Sequence, residues 1–493
     1  MGLRIMLTVF VTALVAASCS SDGSSSSGET SPTTDSVAVT TTAQSERPAT
    51  TSSTALETEP EPESSPARMR LDWFVAALNA AEPPTDQEIE QQFSPEFLAQ
   101  VPPFQLVQGA AQMTAAMDLP ITIESIESES PDGTALEAVL VSADGTARLR
   151  VSLVVGADEP HLIEGLLGVP DVEVEFPEDL TIDRLDETLL SLGANSSLGI
   201  YEVTDGECVA LHEIRAADQV VLGSVFKLWV LADLADRIAA GEASWADMVE
   251  VEDRYKSSPD GEVFGLEAGT EISVEDLAMA MISISDNSAT DHLIAYLGRD
   301  SIESALARIG VSDPAANTPL LSTAALFQLK FVAADPSSAA YRALDEAGRR
   351  ALLEEIDDAV LPWAADPNSV DLINADGVAI DQPRDLDLEW FATPRDLCLT
   401  HVYLAKQAEQ PGLEPVAEIL EANPGLGLPF DRGRWPVIRF KGGSEPGVIA
   451  GAWWFEGDDG RRYVVAGGVS DPNRTVDEVE ASVALASAVT LLG

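Results

Sequence analysis

Lysine is scarce in this chain of 493 residues, which contains Lys227, Lys256, Lys330, Lys406 and Lys441 and no other. Lys and Arg together number 28 against 83 Asp and Glu, so the formal net charge is −55. Nucleic-acid binding needs clustered positive charge, and this balance excludes that class of partner. The excess of carboxylates indicates a solvated acidic surface.

Histidine and cysteine are also rare, with four and three residues. The histidines lie far apart and show no metal-ligand spacing, so neither a metal nor another cofactor is predicted. Cys208 and Cys398 could pair only if the fold brought them close together. Of the two alternatives, we expect two buried free thiols rather than a disulfide.

The first residues have the features of an export signal. Arg4 precedes an apolar run over residues 5–15, which is too short to span a bilayer, and small residues then precede Cys19. This pattern resembles a bacterial lipoprotein signal, in which the cysteine is lipidated after cleavage; the alternative is a plain secretory signal. We expect residues 1–19 to be the signal, Cys19 to carry a lipid anchor in the membrane, and the chain to be exported to the cell envelope.

The remaining chain is too long for one core, so two domains and a tail are predicted. Residues 20–66 are rich in Ser, Thr, Pro and Glu, which cannot bury enough apolar surface to offset ordering, and they are predicted to form a disordered linker. Residues 67–168 are predicted to be a small α+β accessory domain, with helices first and a strand meander after. Gly-containing hairpin signals end at Gly133 and Gly145, and residues 165–177 are interpreted as a connector.

Residues 178–493 are predicted to be a second α+β domain. A helix over 182–192 is followed by strands over 197–203 and 208–213, and three further strands are predicted near the end of the chain. The region from 224 to about 410 has mostly helical patterns. We therefore expect the two ends of this domain to form one antiparallel sheet, with a helical lobe inserted and a cleft between them.

Three short motifs in this second domain carry the candidate chemistry. Ser224-Val-Phe-Lys227 is predicted to open a helix, where free amides favour negative charge and Lys227 lies one turn from Ser224. A desolvated lysine near a second cation can act as a base toward a serine. Ser285-Asp-Asn287 is predicted to occupy a turn between two helices. Each motif alone is equally typical of a helix terminus or a turn.

The third motif, Lys441-Gly-Gly443, follows a predicted strand. Its glycines would let a ligand lie flat against the backbone, and Lys441 would supply fixed positive charge. The amides of Ser224 and Ser444 could together form an oxyanion hole. The alternative is a β-bulge with an exposed lysine.

The order and spacing of the three motifs resemble the class A β-lactamase-like and penicillin-binding superfamily of serine hydrolases, over about 178–493. The resemblance implies that Ser224 is the acylated nucleophile, Lys227 the base and Ser285 a proton shuttle. It also implies substrate binding by a larger set: Asn287, Lys441, Gly443 and Ser444. The small domain resembles the cystatin-like or steroid-isomerase-like cone fold, and the two-domain lipoprotein build resembles the clavulanate-cluster protein family.

Two departures from the family pattern bear on function. Gly442 stands where Thr or Ser is usual, and no Glu-x-x-x-Asn supplies the carboxylate that activates the deacylating water. The corresponding stretch offers Asp376, Asp381, Asp385, Asp387 and Glu389. The resemblance implies a β-lactam or related acyl substrate. The alternatives are a D,D-peptidase or esterase acting on peptidoglycan-derived compounds, and a binding or sensing lipoprotein without turnover.

Overall fold

The computed structural model of the chain describes residues 65–101, 117–171, 175–258, 261–331, 338–365, 382–425 and 428–492, with a few positions between 103 and 110. The predicted signal with Cys19 and nearly all of the predicted linker lie outside these residues. The described α-helices, numbered α1–α15 in chain order, are Pro66–Leu78, Asp86–Glu90, Pro95–Gln100, Ile182–Leu192, Lys227–Ala239, Val274–Ser283, Asn287–Leu297, Arg299–Ile309, Thr323–Phe331, Ser338–Arg342, Glu346–Asp357, Pro362–Ala365, Pro394–Ala408, Pro415–Glu421 and Glu478–Ser487. The strands, β1–β13, are Thr122–Glu129, Ala135–Val141, Arg148–Val155, Ile163–Pro170, Asn195–Thr204, Glu207–Ile214, Val220–Val221, Met248–Glu250, Glu271–Ser273, Phe391–Ala392, Val437–Glu445, Val448–Glu456 and Arg462–Ser470.

The N-terminal part contains an antiparallel meander, β1-β2-β3-β4, which is preceded by helices as the sequence predicted. Gly133 and Gly145 turn the first two hairpins with φ values of 70° and 73°, which glycine adopts at little cost. Helix α1 begins at the cap Ser65 and buries one stripe of side chains against this sheet. The resemblance of this part to a cone fold stays a prediction.

The interpretation of residues 165–177 as a connector is wrong for its first half. Ile163–Pro170 forms β4 and pairs with β3, with Gly165 opposite Val154. The connector was predicted because this stretch contains glycine and proline, which are typical of loops. An edge strand tolerates both residues, because one row of its backbone groups has no ladder partner to lose.

The C-terminal part is built on a five-stranded antiparallel sheet in the order β11-β12-β13-β5-β6. Strands from the two ends of the domain therefore pair, with β13 next to β5, and the helices from α5 to α14 lie between them in sequence. This confirms the predicted α+β class and the inserted helical lobe. Strand β12 is buried along almost its whole length, because helices cover both faces of the sheet.

Cys208 on β6 and Cys398 on α13 form a disulfide, with their Cα atoms 6.3 Å apart. The expectation of two free thiols is therefore wrong. The bridge joins residues 190 positions apart in sequence, and only the packing of α13 against the sheet brings them together. No helix in the described part of the chain combines the length and the apolar character that crossing a bilayer requires.

Candidate active site

Ser224 lies in a tight turn between the sheet and helix α5. The turn is the 3-10 helix Gly223–Phe226, which runs directly into α5 at Lys227. Gly223 has a φ of 47°, a left-handed conformation that favours glycine. Ser224 is half-buried while its neighbours Val225 and Phe226 are buried. The predicted placement of Ser224 at the start of a helix therefore agrees with the geometry.

Trp390 packs against this turn and fixes its position. Its indole ring stacks on Phe226 with centroids 3.7 Å apart and planes 6° from parallel. Its carbonyl oxygen accepts a hydrogen bond of 2.9 Å from the amide of Leu222. Buried aromatic stacking contributes about 0.5–1.5 kcal/mol beyond area burial, so Trp390 fixes both flanks of Ser224. Sequence reasoning did not single out Trp390, because nothing local links it to the turn.

Ser285 lies between helices α6 and α7 with a φ of 62°. A non-glycine residue in this left-handed region is strained, and such strain is typical of functional sites. The next residue, Asp286, caps α7 by accepting a hydrogen bond from the amide of Ala289. The backbone of Ser285 is thus held between α6 and α7, and its hydroxyl points toward β11.

Two lysines meet at the Ser285 hydroxyl. Lys227 Nζ donates to Ser285 Oγ at 3.2 Å and to the Ser285 carbonyl oxygen at 2.6 Å. Lys441 Nζ donates to Ser285 Oγ at 3.0 Å and to the Gly442 carbonyl oxygen at 2.8 Å. Both lysine side chains are buried. The structure therefore brings together three residues that are 58 and 156 positions apart in sequence.

The two ammonium groups affect each other's protonation. Burial and the positive charge of Lys227 lower the pKa of Lys441 well below its usual value. Since a hydroxyl can accept from two donors and donate its own proton, Ser285 can pass a proton once one of the amines is neutral. The arrangement can therefore supply a base and a proton relay without a histidine.

Strand β11 lies directly against the Ser224 turn. A Cβ atom placed on Gly443 would be 2.1 Å from the Leu222 carbonyl oxygen and 2.6 Å from the Ser224 amide nitrogen. Only glycine allows this approach, and the neighbour is the backbone of the turn; the predicted contact of these glycines with a ligand stays a prediction. Ser444 is exposed, and its amide nitrogen lies 3.3 Å from the position that a Cβ on Gly223 would occupy. As β11 is an edge strand, the outer row of its backbone groups has no partner strand in this sheet.

Asn287 links the site to a loop that sequence reasoning missed. Its Oδ1 accepts from Lys227 Nζ at 2.7 Å, and its Nδ2 donates to Ser258 Oγ at 3.0 Å. Thr323 Oγ1 donates to the Asn287 carbonyl oxygen at 3.1 Å, which leaves it to accept the hydrogen bond of 2.7 Å with Ser257 Oγ. Ser258 and Thr323 belong to no recognisable motif, so no local signal could have found them.

Gly442 lacks the usual hydroxyl, and an aromatic ring occupies the corresponding space. A Cβ on Gly442 would be 2.7 Å from Phe440 Cζ. The Phe440 ring stacks on Trp453, the cross-strand partner of Phe440, with centroids 4.7 Å apart. Any side chain at 442 would displace this buried pair.

The carboxylates that could replace the missing base are engaged elsewhere where the structure describes them. Asp385 and Asp387 form ion pairs with Arg342. Glu389 is buried and forms an ion pair with Lys330. Asp376 and Asp381 lie outside the described residues. Within the described ranges, no group of three or more His, Cys, Asp or Glu side chains is arranged to hold a metal ion.

Residues 182–352 match the family model described as the Beta-lactamase enzyme family, and residues 62–160 match the one described as ORF 12 gene product N-terminal. The first of these matches covers Ser224, Lys227 and Ser285, and it confirms the resemblance to the β-lactamase-like serine hydrolases that the motifs predicted.

Several solved structures are similar to this chain. A β-lactamase from Sphaerobacter thermophilus DSM 20745 has 19 % identity and a TM-score of 0.42, with 63 % of this chain and 98 % of that chain covered. One from Burkholderia phymatum has 16 % identity and a TM-score of 0.42, with coverages of 63 % and 96 %. A mutant of PBP-A, in an acyl-enzyme complex with penicillin G, has 14 % identity and a TM-score of 0.39, with coverages of 64 % and 100 %. No curated protein matches the chain.

Proposed function

We propose that this protein is an exported serine hydrolase that forms an acyl-enzyme at Ser224 with a β-lactam or a related small acyl compound. One observation carries the proposal: Lys227 and Lys441 both donate to Ser285 Oγ, while the strand of Lys441 abuts the amide of Ser224. A serine that lies one helical turn before Lys227 and against the strand of Lys441, where both amines share a relay hydroxyl, is suited to nucleophilic acyl transfer.

In the proposed reaction, a bound substrate carboxylate favours the positive charge on Lys441, so that Lys227 becomes the neutral member of the amine pair. Ser224 Oγ then attacks the acyl carbon and gives its proton to Lys227. The oxygen of the tetrahedral intermediate accepts hydrogen bonds from the Ser224 and Ser444 amides. The carbon–nitrogen or carbon–oxygen bond of the substrate then breaks, and Ser285 passes the proton to the leaving atom. Asn287 would bind the substrate amide and Lys441 a substrate carboxylate.

The nucleophile is tested by intact-mass spectrometry after incubation with penicillin G. We expect a one-to-one adduct on the wild type and none on Ser224→Ala. The control is Ser304→Ala, an exposed hydroxyl that donates to the Asp300 carbonyl oxygen on α8, and it should form the adduct normally. An adduct that survives in Ser224→Ala would reject the assigned nucleophile.

A second candidate is a cell-envelope D,D-peptidase or esterase, favoured by the ion pairs that occupy Asp385, Asp387 and Glu389. With these three carboxylates engaged in ion pairs, a β-lactam adduct would hydrolyse slowly. A burst on nitrocefin with little turnover, together with steady release of D-alanine from a D-Ala-D-Ala peptide, would select this candidate. An adduct that persists with neither activity would instead indicate a sensor that is acylated once.

We further propose export and lipid anchoring at Cys19. The disulfide Cys208–Cys398 supports export, since disulfides persist in oxidising compartments outside the cytosol. Metabolic labelling with a palmitate analogue should mark the wild type and not Cys19→Ser. A wild-type protein that carries no lipid and is found in the medium would leave only the plain secretory signal.

A further inference from the structure

A buried cluster of three charged side chains lies at the far end of β11 from Lys441. Lys330 from α9 donates through Nζ to one carboxylate oxygen of Glu389 and to both oxygens of Glu445, the latter at 2.7 and 2.8 Å. The side chains of Lys330 and Glu389 are 0 % exposed and that of Glu445 is 12 % exposed. No role in the proposed reaction has been given to any of them.

The cluster has one more acid than base. Two ionised carboxylates against one ammonium would leave a net negative charge where water cannot solvate it. Two further charged groups lie beside the cluster: Arg384 donates to the carbonyl oxygen of Lys330, and Asp387 is paired with Arg342.

Glu389 also has an oxygen without a donor. Its Oε2 is buried, and no group in the described residues donates a hydrogen bond to it. A proton held between Glu389 and Glu445 would provide that donor and remove the repulsion at once. The protonation chemistry agrees with this geometry, because burial and the charge of Glu389 raise the pKa of Glu445 well above its usual value.

The cluster connects the two backbone segments that form the walls around Ser224. Glu445 lies two residues after Gly443, on the same face of β11, and Gly443 contacts the Ser224 amide. Glu389 immediately precedes Trp390, which holds Leu222 and Phe226 on either side of Ser224. Attraction between Lys330 and the two carboxyl groups therefore holds β11 close to the Ser224 turn. Repulsion between the two carboxylates would move β11 away from that turn.

We propose that Glu389 and Glu445 share one proton against Lys330, and that this pair sets the distance between the Ser224 turn and the Ser444 amide. Glu445 is thus a positioning residue for acyl transfer, and this part of the inference rests on the proposed function. When the shared proton leaves at higher pH, the two carboxylates repel and the Ser444 amide moves away from the developing oxyanion.

Glu445→Gln tests the shared proton, because the amide keeps the shape of the acid. Its oxygen can accept from Lys330 and its NH2 can donate to Glu389 Oε2 at every pH. The matched control is Glu421→Gln, which removes the partner of Arg439 on the same strand. The rate of adduct formation with penicillin G is measured against pH for the wild type and both variants.

We expect the wild-type acylation rate to fall about tenfold per pH unit above the apparent pKa of the pair. Glu445→Gln should lose that alkaline decline and keep a rate near the wild-type maximum, while Glu421→Gln should keep the wild-type profile. Glu389→Gln replaces the other partner of the pair and should give the same result, so it decides the matter if Glu445→Gln fails to fold. Parallel declines in the wild type and the folded Gln variant would overturn the proposal.

Hydrogen exchange separates this inference from the proposed function. Peptides covering 437–445 should exchange faster, relative to the intrinsic rate, as pH rises in the wild type but not in Glu445→Gln. If penicillin G never acylates the protein, the proposed reaction is rejected. The pH-dependent difference in exchange between the wild type and Glu445→Gln would still support the shared proton in that case. Identical protection of these peptides in both proteins at every pH would overturn the shared proton, whether or not the protein is acylated.

Discussion

Replacing Gly443 by alanine tests whether the close approach of β11 to the Ser224 turn is what the site requires. The added Cβ would lie 2.1 Å from the Leu222 carbonyl oxygen and 2.6 Å from the Ser224 nitrogen. Non-bonded heavy atoms prefer separations of about 3.5 Å, so strand and turn must separate by roughly 1 Å or more. Both obstacles are backbone atoms, which cannot rotate away as a side chain can.

The expected effect on acylation follows from this displacement. A misplacement of about 1 Å at reacting groups costs about 100-fold in rate, and overpacking costs about 1–3 kcal/mol in the free energy of unfolding. We expect Gly443→Ala to fold, to lose stability within that range, and to be acylated by penicillin G about 100-fold more slowly. Intact-mass time courses give the rate, and urea unfolding gives the stability.

The adjacent Gly442→Ala is the matched control, because its Cβ meets a side chain instead of the turn. The obstacle is Phe440 Cζ at 2.7 Å, and a tilt of the ring can relieve it. We expect a comparable loss of stability with acylation close to the wild-type rate. A folded Gly443→Ala that is acylated as fast as the wild type, or equal losses of rate in both variants, would refute the reasoning.

Three further predictions concern charge and cross-linking. In Lys227→Met the pKa of Lys441 should rise, because the positive charge of Lys227 no longer lowers it. NMR titration of the lysine signals measures this pKa, and a value equal to that of the wild type would refute the prediction. Replacing Cys208 and Cys398 together by serine should lower the free energy of unfolding by about 2–5 kcal/mol, with reductant then having no further effect on a denaturant curve. Burial raises the pKa of Asp291 to about 7, so its stabilising protonated state is complete at low pH and is lost as pH rises through that value. The pKa of an aspartate in the unfolded chain is about 4, so wild-type stability should fall between about pH 4 and pH 7 by up to about 1.4 kcal/mol per unit relative to Asp291→Asn and level off above pH ~7; equal slopes across that window in urea unfolding would contradict this.

The backbone around the candidate site could be predicted because its signals are local. An unbroken helical pattern after residue 227 predicted α5, and the structure has this helix over Lys227–Ala239. The polar triplet Ser285-Asp-Asn287 predicted a break between helices, and Asp286 indeed caps α7. The roles given to these side chains remain predictions, since a local pattern fixes where a residue lies and not what it does.

Features that depend on distant parts of the chain could not be predicted. The Cys208–Cys398 bridge and the Lys330 cluster each join segments far apart in sequence, and no spacing rule applies to either. Residues 165–170 show the opposite failure, because their composition indicated a loop while pairing with β3 made them part of a strand. In all three cases tertiary contacts, which no local window contains, decided the outcome.

Two places along β11 present the same electrostatic problem with opposite sign. At the middle of the strand Lys227 and Lys441 bring two amines to one hydroxyl, and at its C-terminal end Glu389 and Glu445 bring two carboxyls to one ammonium. Like charges so close and so buried are costly, and each pair is stabilised when one member is neutral. The groups of each pair titrate together, so a pH profile of acylation would report the pairs and not single residues. The acidic limb should then belong to the amines, which must lose a proton to act as a base, and the alkaline limb to the carboxyls, which must keep one to hold the strand in place.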